Sequence, residues 1–276
     1  MPQETLPAKE SAKGKIIALF SSASASGKTT IAINLAAQIK REGYRSCVLD
    51  LDLQFGDVCN YLKVSPPTSI YDYQQALDAS RGDVTAASYL AGGPQIPDLL
   101  AAPIDIAEAY NVEPATVVSL LGELKTSYDY IFVDLVSGFT DVNLRVLEAA
   151  NTIYFVGLVD FIPTIKNMKI AYDTLLSIGI EAGKIRMILN RNKAKTDIEL
   201  RDVEALLGQS FYHTIPNDFA RSAEAIQKGI PVILSAPNTE LAESLRALSE
   251  KITGHASTTQ KPKAGGVKKW FGFLRD

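Results

Sequence analysis

Ser21-Ser22-Ala23-Ser24-Ala25-Ser26-Gly27-Lys28-Thr29-Thr30 is the stretch that decides how this chain folds. The apolar run Lys15-Ile16-Ile17-Ala18-Leu19-Phe20 precedes it, and Ile31-Ala32-Ile33-Asn34-Leu35-Ala36-Ala37-Gln38-Ile39 follows. A strand, a loop of small residues and an amphipathic helix form the setting of a phosphate-binding loop. Ser24, Ala25, Ser26 and Gly27 would present backbone N–H groups at a helix N-terminus. Lys28 supplies an ammonium for β- and γ-phosphates, and Thr29 a hydroxyl for Mg²⁺. The loop is irregular, because the pattern G-x-x-x-x-G-K-[ST] asks for Gly where Ser22 stands. Ala and Ser still let a phosphate approach, although both resist the positive φ that Gly accepts.

Two more strands end in acids. Arg45-Ser46-Cys47-Val48-Leu49-Asp50 runs into Leu51-Asp52-Leu53-Gln54-Phe55-Gly56-Asp57. Alternate residues of an extended segment share a face, which predicts Asp50 and Asp52 turned the same way. Tyr128-Asp129-Tyr130-Ile131-Phe132-Val133-Asp134 repeats the pattern, with Asp134 placed to contact Mg²⁺ directly or through water. Carboxylates beside a phosphate loop can complete the metal's surroundings and orient an attacking water.

With these residues in place, the sequence resembles the ParA/MinD superfamily of P-loop ATPases. Val48-Leu49-Asp50-Leu51-Asp52-Leu53-Gln54-Phe55-Gly56-Asp57-Val58 is similar to the signature of its CpaE/TadZ branch, the pilus-assembly ATPases of Tad systems. The likeness continues through Leu99-Leu100-Ala101-Ala102-Pro103, Ile188-Leu189-Asn190-Arg191, Ile215-Pro216-Asn217-Asp218 and Gly229-Ile230-Pro231-Val232. It spans about residues 15–253. The resemblance implies ATP and Mg²⁺ as ligands, Thr30 near the α-phosphate, and an ATP-dependent homodimer. It also implies Asn190 on the adenine edge, with Pro216 on a second edge of the base pocket. Lys28 and Asp52 are the catalytic candidates, Asp52 as orienter of the attacking water. Thr29, Asp50 and Asp134 are the metal set, with Asp50 behind the direct ligands. Typical members carry a signature lysine where this chain has Ala23, a departure that implies slow hydrolysis.

The rest of the chain agrees with a single doubly wound α/β domain. Its 276 residues are 46% hydrophobic, enough for a large core. A net charge of −3 gives no global attraction to nucleic acid, and Lys166, Lys169, Lys184 and Arg186 read as a solvated face. Cys47 and Cys59 fit no disulfide framework and suit a reducing cytosol, with Cys47 expected in the core. His213 and His255 lack companions for a metal site. No stretch has the length of a spanning helix, and residues 1–13 lack a signal-peptide layout. Members of the CpaE branch often carry a receiver-like domain first, for which this sequence leaves no room. Strands are predicted at 16–21, 46–50, 98–101, 130–134, 152–157, 184–189 and 210–214. Helices are predicted at 114–126, 142–150, 165–178, 197–207 and 239–253. Alternation of this kind, with continuous apolar strands, predicts a mostly parallel sheet flanked by helices.

Four segments are expected: a lead-in at 1–14, the ATPase domain at 15–254, a flexible linker at 255–266 and an amphipathic helix at 267–276. In the last, Val267, Trp270, Phe271 and Leu274 recur at helical spacing with Lys268 and Lys269 beside them. Aromatic and cationic residues so arranged predict binding to an anionic membrane surface, with docking on the domain itself or on another protein as alternatives. The leading expectation is a cytoplasmic ATPase at the inner face of the membrane, with a polar location as one option. It would switch with its nucleotide to localise or assemble a Tad (type IV) pilus, with pilus or secretion proteins as partners. A positioning ATPase for division site, flagellum or partitioning is the second expectation. An ATP-binding scaffold with negligible turnover is the third.

Overall fold

The computed structural model describes residues 14–79, 84–94, 96–192 and 198–255. Its strands are β1 (Lys15–Phe20), β2 (Ser46–Leu51), β3 (Ala91–Gly93), β4 (Ile96–Leu100), β5 (Tyr130–Leu135), β6 (Thr152–Gly157), β7 (Ile185–Asn192) and β8 (His213–Pro216). The helices are α1 (Lys28–Arg41), α2 (Val58–Leu62), α3 (Ile70–Asp78), α4 (Ile106–Tyr110), α5 (Pro114–Ser127) and α6 (Asp141–Ala149). They continue with α7 (Ile162–Ser177), α8 (Leu200–Leu207), α9 (Phe219–Lys228), α10 (Val232–Ser235) and α11 (Glu240–Thr253).

One eight-stranded sheet carries the chain, in the order β3-β4-β2-β5-β1-β6-β7-β8. All neighbours are parallel except β3 and β4. β1 sits between β5 and β6, where the order of connection reverses, and in open α/β sheets ligands bind at the carboxyl ends beside that reversal. The strands at the centre are wholly buried: β2 and β5 expose no residue. Their Val, Leu, Ile and Phe side chains fill two cores, one on each face. Leu49, Ile131, Phe155 and Met168 belong to the first, Leu19, Leu35, Phe132 and Leu248 to the second.

The first helix departs from its amphipathic expectation. Ten residues of α1 are buried, Asn34 and Gln38 among them, because α10 and α11 cover its outer side. Asn34 answers that burial by accepting the Ile233 N–H at 3.1 Å and donating to the Thr30 carbonyl at 2.8 Å. A buried amide without such partners would be costly.

Other expected elements shift at their ends. The segment expected as a strand at 210–214 forms β8 only from His213, and β7 runs on to Asn192. α7 begins at Ile162, with Pro163 in its first turn where a missing N–H costs nothing. α8 starts at Leu200, and residues 196 and 197, expected to open it, lie outside the described residues. β3, α2, α3, α4, α9 and α10 were not anticipated. α3 has a reciprocal cap, Ser69 accepting from Tyr71 N–H while Asp72 accepts from Ser69 N–H at 2.7 Å. Cys47 is fully buried in β2, as expected. Except for Gly14 and His255, the lead-in, the linker and the helix expected at 267–276 lie outside the described residues. No helix among the described residues is long and apolar enough to cross a membrane.

Candidate functional site

β1 delivers the loop at 21–27 to the carboxyl edge of the sheet, and α1 starts directly from it. Gly27 takes φ +95°, and a Cβ there would collide with Asn190 Nδ2. Glycine is therefore required twice, for the left-handed backbone and for the contact. The first residue of α1, Lys28, is only 7% exposed, and its Nζ donates to Ser137 Oγ at 3.0 Å. Ser137 Oγ in turn donates to the Ala23 carbonyl at 2.8 Å, tying the loop after β5 to the phosphate loop. Next along α1, Thr29 Oγ1 donates to Asp134 Oδ2 at 2.5 Å.

The parallel register of β2 and β5 sets Asp50 directly opposite Asp134. Asp50 is 2% exposed, and its oxygens accept the N–H groups of Asp52 at 3.3 Å and Val58 at 3.0 Å. Gly56 packs against it so closely that a Cβ would stand 2.6 Å from Asp50 Oδ2. The segment after β2 thus folds back around this carboxylate. Here the expectation of a shared face for Asp50 and Asp52 fails. β2 ends at Leu51, so strand alternation does not reach Asp52, and burial turns Asp50 onto backbone donors. Asp52 is half-buried and faces the cleft, whereas Asp50 does not line it.

Burial governs the charges. It pushes the Asp134 carboxyl up to about 6, against the opposing pull of the Thr29 hydroxyl and the Lys28 ammonium. It raises Asp50 well above the usual carboxylate range, with the nearby Asp134 charge adding to the effect. Asp52 is raised by burial and lowered by Lys28, and Lys28 is itself lowered by burial although Asp134 and Asp52 oppose it. Asp134 Oδ1, Asp52 Oδ1 and Ser26 Oγ are buried with no hydrogen-bond partner among the described residues. Such atoms are costly in a native structure and mark where a ligand would supply partners.

A cleft of about 540 Å³ gathers residues 24–30, Asp52, Asp134, Asn190 and Pro216, all expected from the sequence. Ser137, Phe55 and Phe219 also line it and were not foreseen. A cavity of about 330 Å³ continues it past Asn217 and Phe219 over Leu158 and Asp160. Asn190, expected on the adenine edge, spends its Nδ2 differently: it donates to the Ser26 carbonyl at 2.8 Å. Arg191, beside it, reaches the Ala25 carbonyl at 2.8 Å. Neither link has a local sequence signal, since each joins segments more than 160 positions apart.

A central parallel strand opening into a phosphate loop, with acids at the ends of the next two strands, defines a P-loop nucleotide-binding protein. The chain belongs to the CobQ/CobB/MinD/ParA nucleotide binding domain family, which it matches over residues 17–232. It is 26% identical over 234 residues to the chromosome-partitioning ATPase Soj of Treponema pallidum, covering 79% of this chain and 89% of that one. The ParA family ATPase of Chlorobium tepidum superposes with a TM-score of 0.78 at 23% identity, covering 86% of this chain and 99% of that one. The septum site-determining protein MinD of Pyrococcus horikoshii, solved with Mg-ADP, gives 0.73 at 21% identity, over 87% and 96% of the two chains.

Proposed function

We propose that this protein is a Mg²⁺-dependent ATP-binding switch of the ParA/MinD kind whose hydrolysis is slow. One observation carries the reading: Thr29 Oγ1 and Asp134 Oδ2 meet at 2.5 Å beside the buried Lys28, while Asp134 Oδ1 has no partner. Among the described residues no three His, Cys, Asp or Glu side chains converge as a metal cage. That fits Mg²⁺, which is commonly held by one or two carboxylates together with substrate phosphates and water. When bound, Mg²⁺ neutralises charge on the phosphates.

Within this reading, residues 24–27 offer backbone N–H groups to phosphate, Lys28 adds its ammonium, and Thr30 stands near the α-phosphate. Thr29 and Asp134 hold the metal, and Asp50 sets the backbone behind them. Asp52, half-buried at the cleft wall with a free oxygen, orients the attacking water. Pro216 and Asn190 border the base. Ala23 presents a methyl group, which supplies no cation to a second copy's phosphates, and its carbonyl accepts from Ser137 and Ser21 within the chain. Loss of a charge of that kind slows phosphoryl transfer by orders of magnitude.

An ATP-dependent homodimer and a role in localising or assembling a Tad-type pilus complete the proposal, the latter supported by Leu53-Gln54-Phe55-Gly56-Asp57. The similarity to Soj favours a second reading, a positioning or partitioning ATPase. Under either, residues 267–276 would carry the protein to anionic membranes. Equal pelleting of the full chain and a 1–266 truncation with anionic liposomes would remove that anchor. Calorimetry with Mg-ATP tests the core of the reading. Lys28→Ala removes a charge-assisted contact and is expected to weaken binding at least about tenfold. Equal affinity for both proteins would sink the assignment.

A further inference from the structure

The end of β7 lies over the phosphate loop and grips it at two consecutive points. Asn190 Nδ2 donates to the carbonyl of Ser26, and Arg191 Nη2 to the carbonyl of Ala25, each at 2.8 Å. Ala25 and Arg191 both have left-handed backbones, φ 54° and 53°. Among the described residues Lys63 is the one other non-glycine with positive φ. A Cβ disfavours this conformation, so it persists where surrounding bonds hold it.

The peptide bonds are trans, and in a trans peptide C=O and N–H point in opposite directions. Drawing the carbonyls of Ala25 and Ser26 toward β7 therefore turns the N–H groups of Ser26 and Gly27 the other way. Those two N–H groups are the kind that a phosphate loop offers to an anion. A glycine at position 25 would adopt φ 54° freely, but this chain has alanine there. Asn190 fits against Gly27 with no room for a side chain, so the two parts of the grip are matched.

We propose that Arg191, together with Asn190, is a positioning residue that holds this glycine-poor loop in its nucleotide-binding conformation through the carbonyls of Ala25 and Ser26. The guanidinium acts through the loop and does not touch the nucleotide. This rests on the reading of the loop as a triphosphate site.

The test is Mg-ATP affinity of the full-length protein by calorimetry for wild type, Arg191→Gly, Ala25→Gly, the double variant and Lys28→Ala. Glycine at position 191 accepts φ 53° without strain, so the variant removes the guanidinium and leaves the backbone at ease. Arg191→Gly is expected to weaken binding about tenfold, the low end for a charge-assisted hydrogen bond at an exposed position. Ala25→Gly alone should bind within about threefold of wild type, because glycine needs no clamp. In that background Arg191→Gly should cost less than about threefold, and this rescue is the signature of action through the loop. Arg191→Lys tests the same point if the glycine variant does not fold: one ammonium in place of the fork should retain part of the affinity. An equal loss whether position 25 holds alanine or glycine would mean that Arg191 meets the nucleotide itself, which overturns the proposal. Wild-type affinity in Arg191→Gly, with binding lost in Lys28→Ala, would remove the clamp and leave the nucleotide site standing. Wild-type affinity in Lys28→Ala as well would overturn both.

Discussion

At the β1–β5–β2 end of the cleft, Lys28 at the start of α1 and Asp134 near the end of β5 are 7% and 1% exposed, and Asp50 of β2, paired with Asp134 in the sheet, is 2% exposed. At the β7–β8 end, Phe219 is 76% exposed and Arg191 lies at the surface. The buried end concentrates charge where water cannot screen it, so the Asp50 and Asp134 carboxyls are raised, and Asp134 Oδ1 lacks a partner. A ligand carrying a cation and phosphates would relieve that state. The exposed end holds little charge in the interior and works through backbone placement. Polar groups kept ready for charge cost stability in the empty protein, a familiar exchange at functional sites.

Four substitutions break or sharpen this contrast. The largest effect is expected from Asp52→Ala, which should lower phosphate release about a hundredfold, the lower end for a general acid–base group. Mg-ATP affinity should change less than about threefold, measured in parallel by calorimetry. A matching loss of affinity would place Asp52 among the binding groups instead.

Asp134→Asn comes next. The folded carboxyl at about 6 lies above its usual 3.8, which corresponds to a penalty on the order of 3 kcal/mol in the ionised, nucleotide-free state. The folded form thus binds the proton more tightly than the unfolded chain does. Its contribution favours folding at low pH and is lost as pH rises from about 4 through about 6. Urea unfolding without nucleotide should show Asp134→Asn more stable than wild type at pH 7.5, with the difference shrinking toward pH 4. The same variant should lose the Mg²⁺ dependence of ATP binding. A destabilised variant at neutral pH would show that the carboxylate is satisfied in the empty protein.

Gly27→Ala sits on the border between the two ends. Left-handed backbone costs a residue with a Cβ about 1–2 kcal/mol, and the new methyl would also collide with Asn190. ATP affinity should fall at least about tenfold. Asn190→Ala added to it removes the collision but not the φ penalty, so recovery should be partial. Full recovery would mean that the backbone moves freely.

Phe219→Ala should have the smallest effect. With three quarters of its surface already in water, unfolding free energy should stay within about 0.5 kcal/mol of wild type. A larger loss would show the β7–β8 end to be more tightly packed than its exposure indicates.

Much of this was legible from neighbouring residues. The run from Lys15 to Ile39 carries strand, loop and helix in one piece, and β2 and β5 announce themselves as apolar runs ending in acids. The parallel arrangement of the strands followed from their spacing by helical stretches. β3 was not legible, because Ala91-Gly92-Gly93 is three residues at the sheet's edge whose pairing depends on β4. Nor was the burial of α1, which requires α10 and α11 to return over it from some 200 positions away.

Sequence alone determined the phosphate loop, its lysine and threonine, and the acids at the strand ends, because each rests on contiguous residues whose chemistry is local. Tertiary structure decided which of those acids faces the cleft, since β2 stops at Leu51 and burial turns Asp50 toward backbone donors. It also decided that an alanine and an arginine take left-handed backbones, because only the meeting of β7 with the loop supplies the hydrogen bonds that hold the grip. Local propensity opposes that conformation, and contacts between segments more than 160 positions apart overcome it.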